Sequence, residues 1–242
     1  MRIESKLKDI SSFAVYYGAN QENRMDKYDL LILEPKGHTR ESITLLNKRG
    51  KITVAYVSVV EISKGDVDYL ALAKDDFLKI NGEVIVNQEY NTVYMDISKK
   101  NVQQLLLKRI LTLLESSYAG IFLDTVGNID FLNIDVRVKE ELLCAAKLLV
   151  EKIKSAVPSA ILIQNNGVVS VCEYTKNYID AICFENPPCI TLGNLKWTMS
   201  ALKKLHGLKK EYNIKVFLLQ ERKSGKSRAS IIQSAIKLYA LL

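Results

Sequence analysis

The feature that most constrains this chain of 242 residues is a regular alternation of strand-like and helix-like segments. Seven short apolar runs, many rich in β-branched residues, occupy residues 12–18, 29–35, 52–60, 119–126, 160–167, 180–188 and 214–221. Their hydrophobicity is largely continuous rather than alternating, which is typical of strands covered on both faces in a parallel sheet. The alternation therefore predicts an α/β fold.

Amphipathic patterns at helical spacing separate most of these runs. They lie at residues 39–51, 102–120, 135–158, 193–211 and 226–241. At this length, such an order predicts a (β/α)8 barrel of the TIM type, with an open doubly wound sheet as the alternative. The eighth strand is uncertain, because the chain stops after the last helical pattern. Either the N-terminal segment closes the barrel, the barrel is incomplete, or the chain is truncated.

We predict a single barrel domain over residues 1–242, with an insertion after the third strand at about residues 63–98. The insertion contains a helix-like pattern over residues 66–80 and a turn at Asn81–Gly82. Long loops after the strands of a barrel commonly carry function. We therefore expect this insertion to form a wall over a site.

Composition narrows the class of protein. The net charge is +7, but the basic residues are scattered at helical spacing, which indicates solvated helix faces rather than a nucleic-acid surface. No apolar run reaches the roughly 18 residues of a membrane span, so we predict none. The N-terminus lacks the pattern of a signal peptide, which favours a cytoplasmic protein if the chain is native.

The four cysteines show no CxxC pair, so we expect buried free thiols. A Cys183–Cys189 or Cys172–Cys183 bridge stays open for a secreted protein.

Polar residues follow the predicted strands at the edge where parallel α/β folds form their sites. They are Tyr16, Tyr17, Glu34, Tyr56, Ser58, Glu61, Asp124, Gln164, Asn165, Asn166, Glu185, Gln220 and Glu221. Acids, amides and tyrosines dominate this set, and it contains no Lys or Arg. The only histidines, His38 and His206, fall in or beside predicted helices. A hydrolase that uses a Ser-His-Asp or Cys-His arrangement is therefore disfavoured.

Two of these residues, Asp124 and Glu185, each end a hydrophobic strand with a carboxylate. Paired carboxylates are the equipment of glycoside cleavage, in which one protonates the leaving oxygen while the other attacks the sugar or activates water. The alternative is structural: Asp124 caps the following turn, and Glu185 pairs with a lysine.

The motifs IFLDTV, ITVAYVSVVEI, LIQNNG and CFEN, in this order, resemble glycoside hydrolase family 114. These are barrels similar to endo-α-1,4-polygalactosaminidases and spherulin-4-like proteins. The resemblance runs from about residue 12 to 221 and implies hydrolysis of an amino-sugar polysaccharide or oligosaccharide without a cofactor or metal. It also implies an extracellular or cell-surface location.

The resemblance implies that Asp124 and Glu185 are the catalytic carboxylates. It also implies sugar-binding or pKa-tuning roles for Tyr17, Glu34, Tyr56, Glu61, Asp96 and Asn165. The family motif often reads Asp-Thr-Val-Asp, whereas this chain has Gly127 at the fourth position. Asp130, three residues further on, is the candidate for the missing acid. No tryptophan platform for a sugar is expected, since Trp197 falls in a predicted helix, and tyrosine is the substitute.

Three other hypotheses stay open. A non-catalytic glycan-binding barrel is favoured by Gly127. An intracellular enzyme acting on a small phosphorylated substrate would bind an anion near Lys223–Ser227. Finally, four carboxylates have the oxygen ligands for a divalent metal; they are Glu34, Glu61, Asp96 and Asp124.

Overall fold

A computed structural model describes residues 7–19, 22–187 and 194–220. The described part contains twelve strands, β1 to β12: Phe13–Tyr16, Leu30–Leu33, Ile52–Ser58, Glu61–Ser63, Lys79–Ile80, Glu83–Val84, Val86–Asn87, Thr92–Tyr94, Gly120–Asp124, Ile161–Asn165, Ala181–Glu185 and Lys215–Leu219. It also contains six helices, α1 to α6: Glu22–Met25, Arg40–Lys48, Lys100–Glu115, Val136–Ala156, Val171–Thr175 and Leu195–Tyr212.

Seven of the strands form one parallel sheet in the order β1-β2-β3-β9-β10-β11-β12. Each strand of this sheet pairs with the next one along the chain, and the order never reverses. A doubly wound sheet requires such a reversal, so the TIM-like barrel is confirmed and the open sheet is wrong. All seven predicted strands are present. No eighth strand of this parallel sheet is found in residues 7–19, 22–187 and 194–220.

The inner face of the sheet is filled by every second residue of each strand, because side chains alternate between the two faces. One hydrophobic cluster collects such residues from all seven strands, among them Val15, Ile32, Val54, Phe122, Ile163, Cys183 and Phe217. The rings of Phe13 on β1 and Phe217 on β12 lie 4.9 Å apart between centroids. The sheet therefore curls until its first and last strands approach each other.

The N-terminal segment packs into this curled sheet. Leu7 is fully buried in the inner cluster, and Ile10 packs against it. The Lys215 ammonium, at the start of β12, donates hydrogen bonds to the backbone oxygens of Leu7 and Ile10 at 2.7 and 2.6 Å. These contacts place residues 7–10 against the amino end of the last described strand.

The outer layer is helical. Helices α2, α3, α4 and α6 confirm four of the predicted helices, and the fifth, at residues 226–241, lies outside the described residues. Their buried faces join the second, larger hydrophobic cluster, which contains Ile43, Leu106, Leu149 and Leu205. Each fully buried Leu or Ile contributes about 1.5–3 kcal/mol to stability.

The segment between β3 and α3 contains a small antiparallel sheet, β4-β8-β7, and the hairpin of β5 and β6. Asn81 and Gly82 have positive φ angles of 52° and 84°, which confirms the predicted turn. The predicted helix over residues 66–80 is wrong, since only the 3-10 helices Val67–Ala71 and Lys74–Asp76 form. Asp66 and Asp76 bind nearby backbone N–H groups, and such local bonds compete with an α-helix.

Cys172 and Cys183 are buried free thiols, as predicted, so a bridge between them is wrong. Cys144 is also free, but it is exposed, because it lies on an outward-facing position of α4. Cys189 lies outside the described residues. Within the described ranges, no helix combines the length and the apolar character that crossing a membrane requires.

Asp29 joins β2 to the segment before β1, and this contact predicts a pH dependence of stability. Its Oδ2 accepts hydrogen bonds from the backbone and hydroxyl groups of Ser11 and Ser12 at 2.8–3.0 Å. These bonds lower the pKa of Asp29 to about 2. Because the pKa is lower in the folded state, the stabilisation is present above about pH 4 and is lost as the pH falls through about 2.

Asp29→Asn is therefore expected to lower the urea midpoint at pH 6, with a difference from the parent protein that shrinks below pH 4. Urea unfolding of both proteins between pH 2 and pH 7 measures this difference. A constant difference across that range would contradict the role given to the Asp29 charge.

Candidate functional site

The site is the topmost layer of the barrel interior. Six of the seven inward-facing rows of core residues continue, two residues further along the chain, into a polar side chain. Phe122 leads to Asp124, Ile163 to Asn165, and Cys183 to Glu185, while Val15, Ile32 and Val54 lead to Tyr17, Glu34 and Tyr56. The strand period of two therefore directs these six residues to the same end of the barrel.

Sharp turns hold three of these residues in place. Asp124, Asn165 and Glu185 each end a strand, and the next residue in each case has a left-handed backbone. The φ angles are 60° at Thr125, 54° at Asn166 and 47° at Asn186. Asparagine adopts this conformation more readily than most residues, whereas for the β-branched Thr125 it is strained.

Hydrogen bonds from the two residues that follow β3 hold the strained Thr125. Its Oγ1 accepts from the backbone N–H groups of Val59 and Val60 at 3.1 and 3.0 Å. Strain of this kind persists only where the surroundings fix it, and it clusters at functional sites. The turn thus fixes the position of Asp124 relative to β3.

Asn165 bridges the two strand-end carboxylates. Its Nδ2 donates to Asp124 Oδ1 and to Glu185 Oε2, both at 2.6 Å. An amide NH2 has two hydrogens, one for each carboxylate, and only this end of the amide can face two acceptors. Asn165 is only 5% exposed. The sequence-predicted pair Asp124 and Glu185 is thus brought together through a third predicted residue.

Two tyrosines complete the cluster. The Tyr56 hydroxyl donates a short hydrogen bond to Asp124 Oδ2, and the Tyr17 ring meets the Tyr56 ring edge-on at 5.2 Å. Burial and the negative charge of Asp124 raise the pKa of Tyr56 well above its usual range. Tyr56 therefore stays protonated and remains a donor to Asp124.

The electrostatic character around these groups is negative. Partial desolvation and then the charges of Asp124, Glu185 and Glu34 raise the pKa of Tyr17. Burial and then Glu185 and Asp124 raise that of the Cys183 thiol, which lies one layer below. The charges that act most strongly on both groups are carboxylates, although the whole chain carries a net charge of +7.

A first cleft of about 440 Å³ opens on the Tyr56 side of the cluster. It is lined by Glu34, Tyr56 and Ser58, by residues of α3, and by Asp66 to Asp68 of the insertion. Arg109 on α3 binds Asp66 and Asp68, at 2.6 Å in each hydrogen bond, and so fixes the insertion in place. The insertion therefore does form one wall beside the predicted residues.

A second cleft of about 410 Å³ opens on the Glu185 side. Its lining includes Glu185, Phe131, Val169, Phe184 and Trp197, together with three asparagines. Trp197 lies on α6, as predicted, but its side chain borders this cleft and so is near Glu185. Sequence reasoning missed this placement. The available signal was that α6 begins directly after the loop that follows Glu185, at the functional end of the barrel.

Two predicted residues, Glu61 and Asp96, are not joined to this cluster. Glu61 is 4% exposed and accepts hydrogen bonds from Asn87, Thr92 and Asn128, which connect the insertion to the segment after β9. Asp96 accepts from the backbone and hydroxyl of Ser98 at the approach to α3. Sugar-binding roles for these two residues stay predictions, and their contacts are those of structural residues.

Asp130 as the substitute for the missing acid of the family motif stays a prediction, and its observed contacts are of another kind. Its carboxylate accepts from the backbone N–H groups of Val169, Ser170 and Val171 at 2.7–3.2 Å, which caps the start of α5. At Gly127 itself, a Cβ atom would meet Asn165 O and Gly167 N at 2.6 Å. This position therefore has no room for a carboxylate in the observed backbone.

The proposed metal ligands do not converge either. In the part of the chain that the structure describes, no group of three or more His, Cys, Asp and Glu side chains is arranged to hold a metal ion. The phosphate-binding alternative, at Lys223–Ser227, lies outside the described residues.

Fold and site together define a class of protein. A parallel barrel that presents two neighbouring carboxylates at the carboxyl ends of its strands has the architecture and the equipment of a glycoside hydrolase. The family model for glycoside hydrolase family GH114 matches residues 5–189. The chain belongs to this family, and the resemblance read from its motifs is confirmed.

Solved structures agree on the fold. The glycoside hydrolase domain of PelA from Pseudomonas aeruginosa is similar, with a TM-score of 0.70, 21% identity, and coverage of 86% of this chain and 82% of that one. Ega3 from Aspergillus fumigatus, solved with galactosamine, gives a TM-score of 0.69 at 13% identity, with coverage of 93% and 84%. A search of the curated proteins finds no match.

Proposed function

We propose that this protein hydrolyses an amino-sugar polysaccharide, with Asp124 and Glu185 as the catalytic carboxylates. The observation that carries the proposal is the bridge made by Asn165, which donates to both carboxylates at 2.6 Å. Family membership supports the general activity of a glycoside hydrolase-like protein. The residues and the substrate are our inference.

The bridge also indicates the stereochemical course. Since each bridged oxygen lies 2.6 Å from the same nitrogen, the two oxygens are no farther apart than about 5.2 Å, twice that distance. Retaining glycosidases separate their carboxyl groups by about 5–5.5 Å, whereas inverting enzymes need about 6.5–9.5 Å to admit a water. A limit of about 5.2 Å on the nearest pair of oxygens is compatible with the retaining arrangement, and we infer retention.

The hydrogen bonds suggest a role for each acid. Asp124 accepts hydrogen bonds from both Tyr56 and Asn165, which hold its carboxylate in one orientation between β3 and β10. We assign Asp124 as the nucleophile. Glu185, which borders the second cleft, is then the general acid and base.

In the first step Glu185 gives its proton to the glycosidic oxygen while a carboxylate oxygen of Asp124 attacks the anomeric carbon. The bond to the leaving sugar breaks, and a glycosyl ester of Asp124 forms. In the second step Glu185 takes a proton from water, which attacks the same carbon and releases Asp124. Tyr56 and Asn165 hold the Asp124 carboxylate in position throughout.

The charge of the site supports a cationic sugar as substrate. The protonated amine of a galactosamine unit is attracted to a site where Asp124, Glu185 and Glu34 dominate the field around Tyr17. A similar barrel, Ega3, has been solved with galactosamine. An N-acetylated sugar has no such charge and gains nothing from this field.

Turnover of defined polymers tests the proposal. Wild-type protein is incubated with α-1,4-linked galactosamine polymer and with its N-acetylated form, and reducing ends are counted. The Asp124→Asn, Glu185→Gln double variant is the blank. We expect faster cleavage of the amine form, with NMR showing the α-anomer first. Cleavage with a β-anomer product contradicts retention.

Binding of these polymers without any turnover would instead favour a non-catalytic glycan-binding barrel. The observation that favours this second function is that Gly127 stands where the family motif often has its second aspartate, in a position with no room for one.

A further inference from the structure

We propose that the second cleft, bordered by Trp197 and Phe131, binds one sugar ring of the glycan on the leaving-group side of the bond that is cut. This inference rests on the proposed function, because it takes Glu185 as the group that protonates the leaving oxygen. It assigns to Trp197 and Phe131 a part in substrate binding.

Phe131 and Trp197 are more exposed than large aromatic side chains usually are. Phe131 is 67% exposed and Trp197 is 37% exposed, although both belong to ordered helical segments that begin after strands of the barrel. Val169, which is 45% exposed, adds to the same cleft. Large apolar side chains that gather around a concave surface mark a binding site more often than an accident of packing.

The cleft has the chemistry that a sugar ring requires. Sugars present an apolar C–H face and a rim of hydroxyl groups, which match aromatic rings and amide side chains respectively. Trp197 packs on Phe184 at 6.3 Å between ring centroids, which supports the indole. Asn166, Asn186 and Asn194 bring amide groups to the same lining.

Its charge also selects the occupant. Glu185 is the one acidic residue in the described lining, and no lysine or arginine is part of that lining. The first cleft differs, because Lys36, Lys108 and Arg109 line it beside three acids. A protonated amino sugar is therefore favoured in the second cleft, where the face of a tryptophan attracts a cation and no basic residue of the described lining repels it.

Position determines which sugar is bound. Glu185 lies in both the catalytic cluster and the lining of this cleft, and Asn165 separates it from Asp124. The sugar that becomes esterified to Asp124 must lie over that residue. The ring beyond Glu185 is then the first unit of the departing chain.

Trp197 supplies its own assay, because it is the only tryptophan among the 242 residues. Its fluorescence is recorded in the Asp124→Asn variant, which keeps every residue of the cleft, during titration with an α-1,4-linked galactosamine tetramer. We expect a saturable change in emission. Phe131→Ala in the same background is expected to weaken the tetramer affinity about tenfold. Met199→Ala, on the helix that carries Trp197, 45% exposed and outside the lining, is expected to have no effect.

Kinetics provide a second readout in otherwise wild-type protein. Trp197→Ala is expected to lower kcat/KM for the polymer about tenfold. It is expected to leave unchanged the hydrolysis of a galactosamine trisaccharide α-fluoride, whose leaving group is too small to occupy the cleft.

The outcomes separate the two proposals. A tetramer that leaves the Trp197 emission unchanged overturns the inference, even if the polymer is cleaved. An equal loss on polymer and fluoride also overturns it, because that result indicates a general structural defect. Saturable emission without cleavage by the wild-type protein supports the cleft as a sugar site and overturns the hydrolase.

Discussion

Glu185→Gln and Asp124→Asn are each expected to reduce kcat on the galactosamine polymer by on the order of a thousandfold or more. An amide can neither transfer the proton nor form the glycosyl ester, and general acid–base catalysis alone contributes about 10²–10⁴-fold. Both replacements keep the shape of the side chain. The loss is therefore one of chemistry rather than of fold.

Stability provides the control for these two variants. In the parent protein one oxygen of Asp124 and one of Glu185 accept from the same Asn165 amide, and an amide of the same shape keeps an oxygen to accept that bond. Either replacement is therefore expected to leave the free energy of unfolding within about 1 kcal/mol of the parent. Turnover within tenfold of wild type in either variant, measured beside urea unfolding, would exclude that residue as catalytic.

Azide distinguishes the two roles. In Asp124→Gly, azide enters the space of the nucleophile and is expected to give a β-glycosyl azide in a single inverting step. In Glu185→Ala, azide attacks the glycosyl ester instead and is expected to give the α-azide. The opposite pattern of products would exchange the assigned roles of Asp124 and Glu185.

Gly127→Asp, which restores the acid of the family motif, is expected to destabilise the protein by about 3 kcal/mol or more. A Cβ at this buried position meets Asn165 O and Gly167 N at 2.6 Å and Asn166 Cβ at 2.7 Å. These are backbone or short side-chain atoms, which cannot rotate away. The added carboxylate must also leave water, so both packing and desolvation oppose it.

Urea unfolding followed by circular dichroism measures this loss, and Gly207→Ala is the matched control. Gly207 lies on α6, and a Cβ there meets no atom within 4 Å. That variant is expected to gain about 0.5–1 kcal/mol, because alanine favours a helix over glycine. A Gly127→Asp protein as stable as the parent would contradict this prediction, because it would show that the backbone of residues 165–167 moves to accommodate the side chain.

Restoring the acid of the family motif is therefore not expected to increase polymer turnover. Moving the backbone at Asn165 would disturb the donor that joins Asp124 to Glu185. Polymer turnover should fall with stability in the Gly127→Asp variant.

The sequence by itself determined the barrel and most of the candidate site. Continuous apolar strands require cover on both faces, and the period of two places Asp124, Asn165 and Glu185 on the inward face of consecutive strands of the sheet. These are local consequences of strand geometry, so they are readable without a structure. The helical pattern over residues 66–80 gave a wrong prediction. Asp66 and Asp76 accept hydrogen bonds from nearby backbone N–H groups, and these bonds compete with an α-helix.

Tertiary structure alone decided which of the polar residues act together. Glu61 and Asp96 follow apolar runs as Asp124 does, yet Glu61 bonds to other loops and Asp96 bonds to Ser98 in its own turn. Asp130 bonds to the segment before α5. It also decided that Trp197 and Phe131, 66 positions apart in the chain, border one cleft beside Glu185. The spacing of residues along a strand fixes the face to which each side chain points. The distance between side chains on different loops depends instead on how those loops pack.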